Sequence, residues 1–334
     1  MLTESKFNYD WTLKDANFTK DKGKVFSCFA CGGGSTMGYK LAGFDVIGCN
    51  EIDKKMMEMY IENHHPKYSF LEPIQTFKNR DDLPEELYDL DILDGSFPCS
   101  AFSMGGNREK DWGKEKVFRE GQSLQILDTL AFEFISLIKK LQPKIAIAEN
   151  VEGLLFGKAI EYVHRIQKEL DDAGYNSQYQ LLDASTIGVP QARRRVFFFA
   201  TRKDLFEDLL WDKNFGKYGS VPLLNMNFNM KKIKTKSFIS GHSKRPTQNY
   251  SDKRFGDIMV NVNKPFQTIT SGARFWLDKE TIVDDKSLTL IGSFPIDYNF
   301  MKNTPTYVIG MSVPPVMMAN IATQVYEQWL RELK

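Results

Sequence analysis

A chain of 334 residues, 42% of them hydrophobic, can bury the core of one large domain and a smaller one, and a net charge of +1 excludes a protein that is basic or acidic throughout. The stretch Met1 to Lys24 is polar and charged, no apolar run approaches membrane-spanning length, and four cysteines without regular spacing exclude a disulfide framework. These features predict a cytoplasmic protein with no membrane contact in a reducing compartment.

In chain order, Val25–Cys28 reads as a strand that runs into Gly32-Gly33-Gly34 and a short helix, and a second strand near Val46 ends at Glu51. A glycine turn lets backbone amides approach a ligand, and an acid at the end of the second strand can hold two ribose hydroxyls. A nucleoside-containing cofactor on Gly33, Gly34 and Glu51 is expected. The spacing is not G-x-G-x-x-G, so adenosine with a short tail fits better than a pyrophosphate. Cys28 and Cys31 form a C-x-x-C pair, but no second pair completes a zinc set, and no metal is expected. A helix follows over Lys54–Asn63.

The apolar run Leu90–Asp94 predicts a buried strand, and Gly95-Ser96-Phe97-Pro98-Cys99 ends it by delivering a thiol to the carboxyl edge of a sheet. Cys99 is therefore the candidate nucleophile. The segment Met104 to Gln122, with Gly105, Gly106 and Gly113 among basic residues, reads as a lid over the site. A helix is expected over Ser123–Leu141 and another over Ala159–Ala173. Between them, a strand near Ile145 ends in Glu149 and Asn150, and a carboxyl at such an edge can present a proton. Arg193, Arg194 and Arg195 lead into the β-forming run Val196–Ala200, which places Arg193 and Arg195 on one face and Arg194 on the other.

The pattern from Thr201 to about Pro305 is irregular. Between 231 and 254 it carries eight basic residues, Lys231 and Lys232 among them, against the single acid Asp252, with Phe238, His242 and Tyr250 interleaved. Such a stretch suits phosphates and base edges. A final helix is expected over Pro315–Leu333.

These residues together resemble the DNA (cytosine-5) methyltransferase family of bacterial or phage type. The resemblance runs from the Phe29 glycine loop through Pro98-Cys99, Glu149-Asn150-Val151 and Gln191-x-Arg193-x-Arg195 to Gly310-Met311-Ser312-Val313-Pro314-Pro315, in the family's order. It implies an α/β fold, a doubly wound, mostly parallel Rossmann-like sheet of the class I methyltransferase kind. Residues 1–200 plus 306–334 would form the catalytic, cofactor-binding domain and 201–305 the smaller target-recognition domain.

The resemblance also implies S-adenosyl-methionine as methyl donor, with adenine near Phe29, Ile52 and Ile74, ribose on Glu51, and the amino-acid end near Gly33, Gly34 and Ser312. Cys99 would attack C6 of a cytosine and Glu149 would stabilise the adduct at N3. Arg195 would hold O2, Arg193 would support the geometry, and Asn150 would fix the Pro98-Cys99 turn. Ser103, Arg108, Gln191, Lys231 and Lys232 would touch DNA. The implied partners are double-stranded DNA and a cognate restriction endonuclease, with a monomer associated with the nucleoid. Cys31, Ser100, Pro73 and Met311 depart from the family's pattern, and Glu72 stands ready for the acid missing at Pro73. Two rival readings are a relative acting on transfer RNA and a DNA-binding relative without activity.

Overall fold

The computed structural model describes residues 5–98, 129–205, 223–239, 246, 250–251 and 256–333, and otherwise only the backbone of five short strand segments between 115 and 244. Seven strands make one sheet: β1 (Lys24–Cys28), β2 (Asp45–Glu51), β3 (Tyr68–Leu71), β4 (Ile92–Gly95), β5 (Ile145–Val151), β6 (Tyr175–Asp183) and β7 (Arg194–Arg202). Their spatial order is β3-β2-β1-β4-β5-β7-β6. The ladders from β3 to β5 are parallel, and β7 runs antiparallel to both its neighbours. The order reverses beside β1, the point at which open α/β sheets bind ligands at their carboxyl edge.

The period-2 pattern of each strand explains why both faces are covered. Phe26, Leu93, Ala146, Ala148, Val196 and Phe198 turn to one side. They meet α3 (Ile74–Phe77), α4 (Leu130–Leu141) and α5 (Ile160–Asp172). Val25, Ile92, Ile145, Ile147, Phe197 and Phe199 turn to the other. That side is covered by α1 (Gly34–Leu41) and α8 (Pro315–Gln328). Leu224, Met226, Phe228 and Met230 join the second core, so an extended stretch inside 201–305 straps onto the large sheet.

A third core joins Met56 and Met59 of α2 (Lys54–His64) to residues of β9 (Arg274–Trp276), β10 (Ile282–Val283), α6 (Asp285–Ile291) and α7 (Pro305–Met311). The strands β9 and β10 belong to a four-stranded sheet with β8 (Asp257–Met259) and Ser243–Lys244. Side-chain caps set two of the helix starts: Asp53 accepts from Lys55 and Met56 at α2, and Asp284 from Ser287 at α6.

Several expectations need correction. The strands β3 and β6 were absent from the sequence reading, because Tyr175–Asp183 is polar and half-buried at a sheet edge. The helix expected from Ser123 begins at Leu130, and Gln125–Ile126 instead pairs with Glu115–Lys116 as a two-stranded ribbon. The last α-helix stops at Gln328 and a 3-10 turn, Leu330–Leu333, follows. Pro305–Gln328 is, contrary to expectation, long and apolar enough to cross a membrane, with a mean hydropathy of 1.3, but 83% of its most apolar window is buried inside the protein. It is two helices broken at Ser312, and it reads as core.

Candidate active site and cofactor cleft

The glycine loop between β1 and α1 is built on unusual backbone. Phe29, Cys31 and Gly33 all have positive φ, 54°, 47° and 73°. At Gly33 a side chain would collide with the imidazole of His64, and at Gly34 with the Val313 carbonyl, so the loop is pressed against α2 on one side and the α7–α8 junction on the other. Tyr298 donates to the Gly32 carbonyl at 2.6 Å. Burial holds the His64 imidazole neutral, its pKa pushed down to about 3.

Glu51, at the carboxyl end of β2, folds back under this loop. Its carboxylate accepts from the backbone N–H of Cys31 at 2.7 Å and from those of Ile52 and Asp53, both at 2.8 Å. Burial pushes its pKa up, and the three N–H donors oppose that rise. Beside it opens a cleft with about 700 Å³ of empty space. Phe29, Cys31, Glu51, Ile52 and Ile74 line it together with Ser96 and Pro98. Apolar walls for a planar ring and a carboxylate at the rim fit an adenosine-bearing group.

Gly33, Gly34 and Ser312, expected at the cofactor, are not among the residues that line this cleft. Ser312 turns its hydroxyl to the Val308 carbonyl at 2.8 Å. Asn50, Asp53, Met56, Glu72, Tyr307 and Met311 complete the lining; of these the sequence reading had named only Glu72 and Met311. Asp53 and Met56 adjoin Glu51 on the chain and were within reach of sequence reasoning, whereas Tyr307 arrives only through the packing of α7. Glu72, proposed in place of the acid missing at Pro73, reaches the cleft but is engaged by Arg80 at 3.0 Å.

Three strand ends, those of β4, β5 and β7, supply the second half of the site. Asn150 is 1% exposed and donates to the Phe97 carbonyl at 3.2 Å while accepting from Val151 N–H at 2.8 Å. This ties β5 to the residue before Pro98. Glu149 lies on the opposite face from Asn150 and meets Arg195 of β7 across the antiparallel ladder, Nε to Oε1 at 2.9 Å, each side chain 13% exposed. The sequence placed Arg193 and Arg195 on one face. Each turns inward, but Arg193 lies outside β7 and is 2% exposed, donating to the carbonyls of Ile269 at 3.3 Å and Gly310 at 3.1 Å. Arg194 points outward to Glu152 at 2.9 Å.

Gln191 corrects another expectation. It was assigned to DNA, yet it is fully buried, its amide oxygen accepting from Ile269 N–H at 3.0 Å and its amide nitrogen 3.5 Å from the Ile291 carbonyl. The reason is its pairing strand, Gln191–Ala192, which takes Phe266–Gln267 as a parallel neighbour and so closes a seam. Lys231 and Lys232 are exposed, with Lys232 3.9 Å from Asp183. Cys99, Ser103, Arg108 and the side chains of the lid segment 104–122 lie outside the described residues. Among the described residues no cluster of metal-ligating side chains occurs.

The comparisons agree with this geometry. Residues 23–287 match the family model for C-5 cytosine-specific DNA methylase. The type II methyltransferase M.FnuDI of Fusobacterium nucleatum is 37% identical over 183 residues, 54% of this chain and 48% of the relative. M.NgoPII of Neisseria gonorrhoeae is 33% identical over the same length, covering 54% and 49%. The chain thus aligns with about half the length of these relatives. M1.HphI of Haemophilus parahaemolyticus aligns at 25% identity over 89% of this chain and 85% of its own. The solved DNMT2 of Spodoptera frugiperda superposes with a TM-score of 0.63 at 17% identity, covering 91% of this chain and 99% of that one, which shows the fold. With the family model spanning most of its length, the chain belongs to the C-5 cytosine-specific DNA methylase family.

Proposed function

We propose that the protein transfers a methyl group from S-adenosyl-methionine to C5 of a cytosine flipped out of duplex DNA. The observation that carries this reading is the meeting of two half-sites. Pro98 lines the cofactor cleft, and Asn150, next to Glu149, holds the Phe97 carbonyl just before it. The residue after Pro98 is Cys99.

A flipped base would cost a few kcal/mol to extract and would enter beside Glu149 and Arg195. The Cys99 thiolate forms a bond to C6, which moves electron density to C5. A carboxyl at Glu149 bonds N3 and the exocyclic amine, and the Arg195 guanidinium holds O2. S-adenosyl-methionine supplies the electrophilic methyl when bound. A base then removes the C5 proton, the C5–C6 double bond returns, and Cys99 leaves as thiolate. Phe29, Ile52 and Ile74 would hold adenine and Glu51 the ribose, with Gly33, Gly34 and Ser312 toward the amino-acid end.

Residues 1–200 and 306–334 form the catalytic body in this reading and 201–305 the target-reading part, with 224–230 as its strap. Lys231 and Lys232 are placed on DNA phosphates. The relatives' designation as type II methyltransferases supports a cognate restriction endonuclease as partner, and we assign a cytoplasmic monomer.

The test uses DNA that carries cytosine fluorinated at C5, because fluorine cannot leave as a proton and elimination stalls. Wild type should form a band that survives denaturing electrophoresis, and Cys99→Ala should not. Equal trapping by both proteins removes the assignment of the nucleophile.

A further inference from the structure

Asp94 is the last acid on β4 before the Pro98-Cys99 turn, and the proposed mechanism does not use it. It is 3% exposed. Its carboxylate accepts from Ser27 Oγ of β1 at 2.8 Å and from Tyr39 OH of α1 at 3.1 Å, and the hydroxyl of Ser35, also on α1, is a further donor. Ser27 precedes the glycine loop and Ser35 follows it, so one carboxylate ties both ends of the cofactor loop to the strand that carries the nucleophile.

The same face continues across the sheet. Asp94 shares the period-2 face of Ile92, and Glu149 that of Ile145 and Ile147, on adjacent parallel strands. Asp94 therefore faces Glu149 with its Arg195 partner from β5 and β7, Ser27 from β1, Ser35 and Tyr39 from α1, and Tyr60 from α2, while Cys28 of β1 lies on the opposite face of the sheet. Ser27, Ser35 and Tyr39 donate hydrogen bonds, Cys28 and Tyr60 are buried and neutral, and Glu149 is the other carboxyl.

We infer that Asp94 is a positioning residue of the methyl transfer, which fixes both ends of the cofactor loop against the strand that carries the nucleophile. The inference rests on the reading of the neighbouring cleft as the cofactor site. A carboxamide at this position can still accept from the surrounding hydroxyls, whereas a methyl group leaves the buried hydroxyls of Ser27, Ser35 and Tyr39 without that partner and the loop without its tie.

The experiment measures kcat with unmodified genomic DNA and cofactor affinity by calorimetry for wild type, Asp94→Asn and Asp94→Ala. Asparagine keeps two of the hydrogen bonds, so cofactor affinity should stay within threefold of wild type. Alanine frees the loop, and cofactor affinity should fall about tenfold. Folding of each variant is checked by thermal unfolding, because a purely structural role would lower stability without a matching loss of cofactor affinity or its rescue by asparagine. An active wild type whose cofactor affinity equals that of a folded Asp94→Ala overturns the inference alone. A wild type without methyl transfer removes it together with the reading beneath it.

Discussion

The Asp94 carboxyl also predicts how stability depends on pH. Burial is the largest cause of its shift and raises its pKa from 3.8 to about 7, with the hydroxyls of Ser27 and Tyr39 opposing the rise. Between these two values the folded chain holds a proton that the unfolded chain has released. The contribution of this group is therefore fully present below pH 3.8 and is lost as pH rises through 7. At about 1.36 kcal/mol per pH unit, the whole span is worth about 4 kcal/mol, and the part between pH 5.5 and 8 about 2 kcal/mol.

Asp94→Asn isolates that part, because every other titrating group is common to both proteins. His64 is the chief one to cancel. Its pKa is pushed down to about 3, so its contribution is present above pH 6.5 and is lost as pH falls toward 3. Urea unfolding of both proteins from pH 5.5 to 8 should show the stability of Asp94→Asn gaining on wild type by about 2 kcal/mol as pH rises. Parallel curves would refute the reasoning, for they would mean that Asp94 stays ionised in the fold down to pH 5.5.

Three further outcomes are expected. Glu149→Gln should lower kcat by about 100-fold or more while calorimetry shows cofactor affinity kept, since glutamine can bond the base but cannot donate an acid proton; an unchanged kcat removes Glu149 from the chemistry. Lys231→Ala with Lys232→Ala should weaken binding to all DNA sequences alike, and the slope of log affinity against log salt should fall by about 1.8, read by fluorescence anisotropy; an unaltered slope would move the phosphate contacts elsewhere. Gly34→Ala should cost about 1–3 kcal/mol in thermal unfolding, because its methyl group meets the Val313 carbonyl and the Ser312 side chain, and cofactor affinity should fall with it. A Gly34→Ala protein as stable as wild type would show that the loop and the α7–α8 junction are not tightly packed.

Much of the large sheet was legible because its strands alternate between two cores. Runs such as Ile145–Ala148 and Val196–Ala200 are apolar on both faces, and that is the signature of a strand covered by helices on either side. β6 escaped for the converse reason: as the edge strand it keeps Asn176, Ser177, Gln178 and Gln180 half-buried, which leaves no apolar alternation to read. Within the site, legibility depended on how local the cause was. Glu51 sits where it does because the strand before it ends there, and its bonds go to Ile52, Asp53 and the nearby loop. The pairing of Glu149 with Arg195 depends on an antiparallel register, which residue types alone do not specify. Gln191 shows the limit most sharply. A glutamine beside an arginine cluster reads as a polar contact for DNA, yet the parallel pairing with Phe266–Gln267 turns it inward to hold Ile269. Its position in the signature thus reflects a seam between the two halves of the chain, and Arg193, bonded to Ile269 and Gly310, belongs to the same seam. Arg195 of that signature reaches the Glu149 carboxylate at the carboxyl edge of the sheet while Gln191 and Arg193 hold the seam, so the chemical and the structural duties of one short motif fall on different residues of it.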